Sequence, residues 1–409
     1  MRRTTVNFAL PSRFHAVQES TAALSVDRIS VSTLPDPALW AVVIIPAKDE
    51  AENLPATLAA LAAQTTLAGH PLDPAGYEVI VLANNCLDNT AAVAREAGRK
   101  YPALALHVVD ITLNQPEAHI GKARRLLMDE ACRRLEQAGN GGSFIASTDA
   151  DTRVAPTWLA ATQAALARGA DAVGGRILTE AASPACAVRR CQLQDATYHV
   201  LRARLENLID PVATDPWPRH HQHFGASFAL TPAAYRRVGG LPVVPYLEDE
   251  ALYQALLRHD LHLRHSPDVR VYTSGRQQGR VAVGLSWQLR QWAALHKAQQ
   301  EPVVDNPARL AAEWQLRRQA RCLWQEPTDA GLNTLAAALG LSGRALARYL
   351  RRSATFGQLW QAMQGQWFRH AEPQLRWPPL PLSAALVSLR QALASFQQSA
   401  PANRQLLPV

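Results

Sequence analysis

Two aspartates separated by one residue, Asp149 and Asp151, are the first candidates for chemistry in this chain. They follow a short apolar run, Phe144-Ile145-Ala146, which predicts a buried strand, and they precede a helical pattern that begins at Pro156. Ligands of open α/β sheets bind beyond the carboxyl ends of the strands. Carboxylates there suit Mg²⁺ or Mn²⁺, whose remaining ligands are phosphate oxygens and water. The pair predicts a metal–diphosphate site, and capping of the next helix is an equally good interpretation.

Alternating strand and helix patterns must position this pair, and they follow an irregular arm, residues 1–37. The predicted strands cover residues 40–45, 77–83, 104–109, 144–146, 171–178, 224–230 and 269–273. The predicted helices cover residues 52–64, 91–99, 121–137, 156–168, 186–209 and 246–259. This alternation predicts an α/β fold with a doubly wound, mostly parallel sheet over residues 38–282. Only helical patterns and polar linkers remain in residues 283–409, which we expect to form a helical extension.

Size and composition describe an ordinary globular protein. The 409 residues are 48% hydrophobic and 19% charged, so the chain can bury a core in one large α/β domain with an appendage. Its longest apolar runs, 41–45 and 79–83, are far shorter than the ~20 residues that span a bilayer. The basic start, Met1-Arg2-Arg3, is not followed by an apolar signal region, which predicts a cytoplasmic protein. Five scattered cysteines indicate reduced, structural thiols.

The positive charge is concentrated in the C-terminal third. From Arg276 to the end, 16 Lys and Arg residues face six Asp and Glu residues, a net charge of +10. Because the whole chain carries +8, residues 1–275 carry −2. A basic surface attracts anionic lipid, nucleic acid or phosphorylated acceptors. We therefore expect peripheral contact with the inner face of an anionic membrane, which sedimentation with liposomes would reveal.

The turns after the first two strands carry a family resemblance. The first strand ends in Pro46-Ala47-Lys48-Asp49-Glu50 and the second in a turn from Asn84 to Thr90 that contains Asp88. These turns resemble those of the family 2 glycosyltransferases of the GT-A fold, and the order of elements extends the resemblance over about residues 40–282. It implies nucleotide-sugar binding by the residues Pro46, Ala47, Asp49, Glu50, Asn84 and Asp88. Asp49 replaces the family's usual Asn, Asn84 replaces an Asp that contacts the base, and helix capping is the alternative role for both turns.

The resemblance extends to the phosphate and metal positions. Gly121 to Arg125 opens a helix and places cations near its N-terminus, where phosphate groups commonly bind. This segment resembles the family's Gly-Lys segment. The resemblance implies that Lys122 binds phosphate, that Asp149 lies near the sugar or ribose and also the metal, and that Asp151 binds the cation. On its own, such a basic run is more often a solvated helix face.

A second acidic pair, Glu248 and Asp249, begins a helical pattern. In the family, an acid at such a position near the acceptor is the catalytic base, so both residues are catalytic candidates, with Asp249 preferred. In an inverting transfer, this carboxylate takes the acceptor hydroxyl proton while that oxygen attacks the anomeric carbon opposite the departing diphosphate. The metal neutralises the leaving charge. The alternative role is helix capping.

Three further features depart from the family pattern. Relatives often have a metal- or phosphate-binding His after the last strand, where this chain has Arg276 and Arg280 and the nearest upstream histidine is His265. We expect Arg276 or Arg280 to bind the diphosphate, and a surface position without a ligand is an equally good interpretation. Three histidines, His220, His221 and His223, lack zinc-finger spacing and favour an acceptor loop. Residues 288–292, Gln-Leu-Arg-Gln-Trp, differ from the Gln-x-x-Arg-Trp motif of processive family members in the position of the Arg. Processive polymer synthesis is therefore not favoured.

These features predict a hexosyltransferase-like enzyme that depends on Mn²⁺ or Mg²⁺ and transfers a sugar, with inversion, from a nucleotide-diphosphate sugar to an unidentified acceptor. The alternative function is nucleic-acid binding through residues 332–352. That segment is typical of a helix-turn-helix, with Gly340 at the turn, Ser342 as N-cap, and Arg344 and Arg348 on the second helix. Because such helix pairs are also common packing units, the sequence does not favour nucleic acid as a partner.

Overall fold

An eight-stranded mixed sheet lies at the centre of the computed structural model, which describes residues 26–180, 186–275 and 284–399. Its strands are β1 Ala41–Ala47, β2 Tyr77–Asn84, β3 Ala105–Ile111, β4 Phe144–Ser147, β5 Thr152–Val154, β6 Ala172–Thr179, β7 Phe228–Leu230 and β8 Leu263–Thr273. They are ordered β3-β2-β1-β4-β7-β6-β8-β5, and β7 and β5 run antiparallel to the other six. The predicted α/β class with a mostly parallel sheet is confirmed.

Helices cover both faces of this sheet. They are α1 Leu54–Ala62, α2 Thr90–Lys100, α3 Ile120–Ala138, α4 Trp158–Ala167, α5 Ala187–Ile209, α6 Pro232–Arg237 and α7 Glu248–Arg258. Alternate residues of a strand point to opposite faces, so Val42 and Ile44 pack with α3, α6 and α7, whereas Val43 and Ile45 pack with α1, α2 and α4. Burial on both faces explains why β1 is apolar along almost its whole length.

The extension packs against α5. Its elements are α8 Leu285–Lys297, β9 Val303–Val304, α9 Pro307–Gln325, α10 Asp329–Ala338, α11 Gly343–Arg352, α12 Phe356–His370, α13 Pro373–Arg376, β10 Leu380–Pro381 and α14 Leu382–Ser399. One apolar cluster joins α5 to α9 and α14 and includes Tyr198 and Trp314. A second cluster lies among α9 to α12. The predicted C-terminal helices are therefore present, and they share a core with α5.

Arginines of the extension also bind acids of α5. Arg317 donates to Glu206 Oε1 at 2.8 Å and to Asp210, and Arg321 donates to Asp210 Oδ2 at 3.0 Å. Asp210 is buried, so its charge depends on these two guanidinium groups. Part of the basic excess of the C-terminal third is thus neutralised within the molecule.

Several elements differ from the sequence prediction. Strand β8 begins at Leu263 rather than at residue 269. Its pairing with β6 is interrupted by a register shift: Gly175 pairs with Ser266, whereas Arg176 pairs with Arg270. The shift falls beside Pro267, which a regular interior strand would exclude. Strand β5 and helix α6 were not predicted, since runs of three and six residues are too short to show a period. None of the described helices is long and apolar enough to cross a membrane.

A buried ion pair joins β2 to α3. Arg134 donates from Nη2 to Glu78 Oε2 at 2.6 Å and from Nη1 to the Thr33 carbonyl at 2.6 Å, and His107 Nε2 lies 3.2 Å from Glu78 Oε2. Glu78 and Arg134 are both buried. Burial alone raises the pKa of Glu78, but Arg134 and His107 outweigh it, so this pKa lies below its ordinary value of 4.5.

Glu78→Gln should lower the free energy of unfolding by about 3–5 kcal/mol at neutral pH, because it leaves the Arg134 guanidinium buried without a counter-charge. A carboxyl group with a lowered folded-state pKa stabilises above its unfolded pKa, and that stability is lost as the pH falls through the folded value. Urea unfolding should therefore show a steeper loss of stability below pH 4.5 in the parent than in Glu78→Gln.

Glu96→Gln is the control, because Glu96 forms an exposed pair with Arg99 on α2. It should change stability by less than about 1 kcal/mol. Equal losses of unfolding free energy in the two variants would contradict a stabilising buried ion pair between Glu78 and Arg134. So would the same pH dependence of stability in Glu78→Gln as in the parent.

Candidate functional site

A deep groove of about 4630 Å³ opens beyond the carboxyl ends of β1, β2 and β4. The sheet forms one wall, and helices α5, α7, α8, α9 and α12 contribute to the others. Small-molecule pockets typically measure about 300–1,000 Å³. The groove is therefore large enough for two ligands side by side, and the extension helps to enclose it.

Most of the predicted site residues line this groove. The residues brought together there are Pro46, Ala47, Glu50, Asn84, Asp149, Asp151, Glu248 and Asp249. Asp49, Asp88 and Lys122 are not among its lining residues. The Lys122 ammonium instead lies 2.9 Å from Glu117 Oε1. Arg276 and Arg280 lie outside the described residues.

Asp49 and Asp88 tie together the turns that follow β1 and β2. Asp49 Oδ1 accepts from the Leu87 N–H at 2.6 Å, with the Asp49 backbone in the left-handed region at a φ of 54°. Asp88 Oδ2 accepts from the Ala51 N–H at 3.0 Å, and its Oδ1 accepts from the Thr90 N–H at 2.9 Å, at the start of α2. These bonds fix the turns that hold Glu50 and Asn84 at the groove.

Asp49, Cys86 and Asp88 could together hold a metal ion, because their ligand atoms lie within 4.8 Å of one another. No other such group of three or more occurs in the part of the chain that the structure describes. Both Asp88 carboxylate oxygens and one of Asp49 already accept backbone N–H groups. Burial also raises the pKa of the Cys86 thiol, which disfavours the thiolate that a metal requires. We interpret this cluster as a structural clasp.

Arg124 is the central cation of the site. It is the fifth residue of α3, and only 4% of its surface is exposed. Its Nη2 donates to Asp149 Oδ1 at 2.7 Å, and its Nη1 donates to Glu248 Oε1. One guanidinium therefore connects the acid after β4 to the acid that begins α7.

The sequence prediction chose Lys122 rather than Arg124 from the basic run at the start of α3. Both residues lie among the first five residues of the helix, so sequence spacing alone did not separate them. A signal was nonetheless present: the apolar residues Ala123 and Leu127 are buried, and Arg124 lies beside them on the inward face. A cation on the buried face of a helix needs acidic partners, and two are present.

Asp249 is held by backbone amides. Its Oδ2 accepts from the Gly225 N–H at 2.9 Å, and its Oδ1 accepts from the Glu250 N–H at 2.8 Å. Each carboxylate oxygen keeps further lone pairs, so this arrangement fixes the orientation of Asp249 without consuming its capacity to accept a proton. Glu248 differs because it is buried and bound to Arg124.

Negative charge converges on Asp149. Burial in the groove raises the pKa of Asp149 above its ordinary value of 3.8, and the charges of Asp249 and Glu50 raise it further, against the opposing charge of Arg124. One arginine thus faces several carboxylates. A bound divalent cation would relieve this repulsion, and the hard oxygen donors of Asp149 and Asp151 suit Mg²⁺ or Mn²⁺.

Comparison with known proteins decides the family of this site. Residues 42–214 match the family model described as Glycosyl transferase family 2. The matched segment, residues 42–214, is a family 2 glycosyltransferase domain. The match confirms the predicted family and enzyme class, and the mixed sheet with its flanking helices agrees with the predicted GT-A type of fold. No curated protein matches the chain.

Solved structures with a similar fold are also glycosyltransferases. The mannosyltransferase PcManGT from Pyrobaculum calidifontis, with GDP-Man and Mn²⁺, is 17% identical over 90% of each chain, with a TM-score of 0.43. S. aureus TarS 1–349 with UDP is 14% identical over 90% of this chain and 94% of that one, at a TM-score of 0.40. Glucosyl-3-phosphoglycerate synthase from Mycobacterium tuberculosis, with Mn²⁺, UDP-Glc and phosphoglyceric acid, is 16% identical. The match covers 66% of this chain and 86% of that one, with a TM-score of 0.35.

The three loop histidines, His220, His221 and His223, do not form a metal-binding group among the described residues. His220 accepts from the Gln222 N–H at Nδ1, at 3.0 Å, and its Nε2 lies 3.1 Å from the Ser266 carbonyl. This arrangement requires a neutral ring with the proton on Nε2. His221 and His223 also line the groove, where His221 stacks on His199 of α5 and His223 stacks on Tyr253 of α7.

The predicted helix-turn-helix is present as α10 and α11. Gly340 takes a left-handed φ of 62° in the turn, and Ser342 caps α11 by accepting from the Ala345 N–H at 3.2 Å. The second helix exposes four arginines without an ion pair to any described residue: Arg344, Arg348, Arg351 and Arg352. The positive charge of the C-terminal extension that no described acid neutralises therefore includes these four arginines on the surface of α11.

Gly225 packs directly on Arg124. A Cβ at this position would overlap the Arg124 guanidinium, and the Gly225 N–H is also the group that donates to Asp249. Gly225→Ala should therefore displace Arg124 from Asp149 and Glu248 and lower the free energy of unfolding by about 1–3 kcal/mol, as overpacking does. Urea unfolding measures the loss.

The control for Gly225→Ala is Gly141→Ala, because a Cβ at Gly141 meets no heavy atom within 4 Å. Gly141→Ala should leave stability within about 0.5 kcal/mol of the parent. If the two alanine variants were equally stable, the close packing of Gly225 on Arg124 would be wrong.

Proposed function

We propose that this glycosyltransferase moves a sugar from a nucleoside-diphosphate sugar to an acceptor hydroxyl with inversion, assisted by Mn²⁺ or Mg²⁺. The observation that carries the proposal is the Asp249 carboxylate, fixed by two backbone N–H groups at the groove where Asp149 and Asp151 also lie. A general base and a diphosphate site in one groove are what such a transfer needs.

The donor nucleotide would occupy the sheet side of the groove. Asn84 ends β2 and is 5% exposed, and it offers both a donor and an acceptor to a base edge. Pro46 and Ala47 end β1 beside it. A base seated there would place its diphosphate toward Asp149 and Asp151, at the end of the neighbouring strand β4.

Asp151 and Asp149 are the residues that would hold the cation. When bound, it would neutralise charge that develops on the departing diphosphate. Two carboxylates suffice for Mg²⁺ or Mn²⁺, whose remaining ligands are phosphate oxygens and water. Arg124 restrains one oxygen of Asp149, so that the carboxylate is oriented before any ligand arrives.

Asp249 would act as the general base and Glu248 would position it. The Asp249 carboxylate would accept the proton of the acceptor hydroxyl as that oxygen attacks the anomeric carbon, and the sugar–diphosphate bond would break on the opposite face. Glu248 is buried and bound to Arg124, so it is poorly placed to accept a proton from an acceptor. It would instead anchor the first turn of α7, from which Asp249 extends.

Donor binding can be tested by thermal shift with UDP-, GDP- and dTDP-sugars, with and without Mn²⁺. A ligand that binds only the folded state raises the apparent stability, and one nucleotide should do so in a Mn²⁺-dependent manner. Asp151→Asn should remove the Mn²⁺ dependence and leave the unfolding temperature without ligand unchanged, whereas Asp171→Asn, away from the groove, should behave as the parent. Mn²⁺-dependent binding that survives in Asp151→Asn would contradict the metal assignment.

Asp249→Asn should reduce transfer about 10²–10⁴-fold while donor binding survives, because the amide keeps the shape of the side chain but cannot accept the proton. Glu248→Gln should behave differently: it weakens the Arg124 bridge and should lower both donor affinity and stability. Turnover with the identified donor, together with calorimetry of donor binding, separates the two. A severe loss of turnover in Glu248→Gln combined with a mild one in Asp249→Asn would reverse these roles.

A further inference from the structure

The side of the groove formed by α5 carries a stripe of polar side chains. Asp195, His199, Arg202 and Glu206 are spaced by four, three and four residues, so they lie on one face of the helix, and all four line the groove. None of them was among the predicted site residues. The proposed donor and base roles do not use them.

Arg202 has no hydrogen bond or ion pair with any described residue, although it is partly buried. Nearby acids are already engaged. Glu206 pairs with Arg317 at 2.8 Å and with Arg219 at 3.1 Å, and Glu250 lies 2.8 Å from His223 Nε2. The Arg202 guanidinium therefore keeps its five N–H donors for a ligand.

Two imidazoles adjoin this guanidinium. The rings of His199 and His221 stack with centroids 3.9 Å apart and planes inclined by 13°. The Nδ1 atoms of both rings are buried without a hydrogen-bond partner. Burial, reinforced by the charge of Arg202, lowers the pKa of His199 to about 3. Burial also lowers the pKa of His221, with further contributions from the neighbouring histidines and from Arg202. Both rings are therefore uncharged while no ligand is bound.

Asp195 does not contact the unpartnered Nδ1 of His199. Its Oδ2 lies 3.7 Å from Nε2 of His199, on the opposite side of the ring from the unpartnered Nδ1. Burial raises the pKa of Asp195 to about 6. An anion at Nδ1 would place a protonated His199 between two negative groups, and both would stabilise the imidazolium.

The pocket adjoins the proposed base. Glu250 follows Asp249 on α7 and binds His223, which belongs to the same loop as His221. Burial raises the pKa of Glu250, but His223, Gln254 and the charge of Arg202 together hold it below its ordinary value. Arg202 thus acts electrostatically on the residue next to Asp249.

We propose that Arg202, His199 and His221 form a subsite for a phosphate group carried by the acceptor. The assignment rests on the proposed function, since it takes the groove beside Asp249 as the acceptor side. A phosphate monoester suits the pocket because its three terminal oxygens can accept two N–H bonds from the guanidinium fork and others from the imidazoles. A neutral sugar would leave the Arg202 charge without a partner.

Titration calorimetry in metal-free buffer tests the subsite with three probes: inorganic phosphate, glycerol 1-phosphate and glycerol. Arg202→Gln should weaken both phosphate probes about 10- to 100-fold, as loss of charged hydrogen bonds predicts. His221→Phe keeps a stacking ring without its nitrogens and should also weaken both. Arg204→Gln is the matched control, because Arg204 is exposed on the same helix over the Trp217 ring. It should bind both phosphates as the parent does.

Three results would overturn the subsite: equal weakening by Arg202→Gln and Arg204→Gln, unchanged binding in Arg202→Gln, or glycerol binding as tightly as its phosphate. Binding of inorganic phosphate without glycerol 1-phosphate would assign a free-anion site and overturn the acceptor assignment. Mn²⁺-dependent binding of UDP and GDP is measured in the same proteins and should persist in Arg202→Gln. If the parent binds neither nucleotide, the donor assignment fails, whereas a subsite failure leaves that nucleotide binding intact.

Discussion

The bridge from Arg124 to Asp149 and Glu248 is the interaction on which the site depends. Asp149 follows strand β4 and Glu248 begins helix α7, and one buried guanidinium sets their relative positions. Removing a partner from a buried pair is costly, so the three side chains stay together. Gly225, which allows the guanidinium to approach, also donates to Asp249. The same contact therefore organises the metal side and the base side.

The extension is part of the groove rather than an appendage beside it. Arg317 and Arg321 bind acids at the C-terminal end of α5, and α14 shares an apolar cluster with that helix. Because α5 also presents Arg202 and His199 to the groove, the extension helps to position the stripe that we assign to the acceptor. Its basic residues thus serve two purposes: some anchor α5, and those of α11 remain at the surface.

Sequence patterns predicted most of the fold because its strands are continuous apolar runs and its helices have long amphipathic periods. They also located Asp149, Asp151 and Asp249, whose positions follow from strand ends and a helix start. They did not single out Arg124, since its two acidic partners lie 25 and 124 residues away and only the tertiary fold brings them together. Asp49 and Asp88 mark turns whose hydrogen bonds run between strands β1 and β2, which a linear pattern cannot display.

The central claim, that a divalent cation bound at Asp149 and Asp151 shares the groove with the base, is tested most directly by anomalous diffraction at the manganese edge. Crystals would be soaked with Mn²⁺ and UDP or GDP, whichever binds in a Mn²⁺-dependent manner. We expect one strong peak beside the Asp151 carboxylate, in contact with the diphosphate. A peak at Asp49, Cys86 and Asp88 instead, or nucleotide without manganese in the groove, would contradict it.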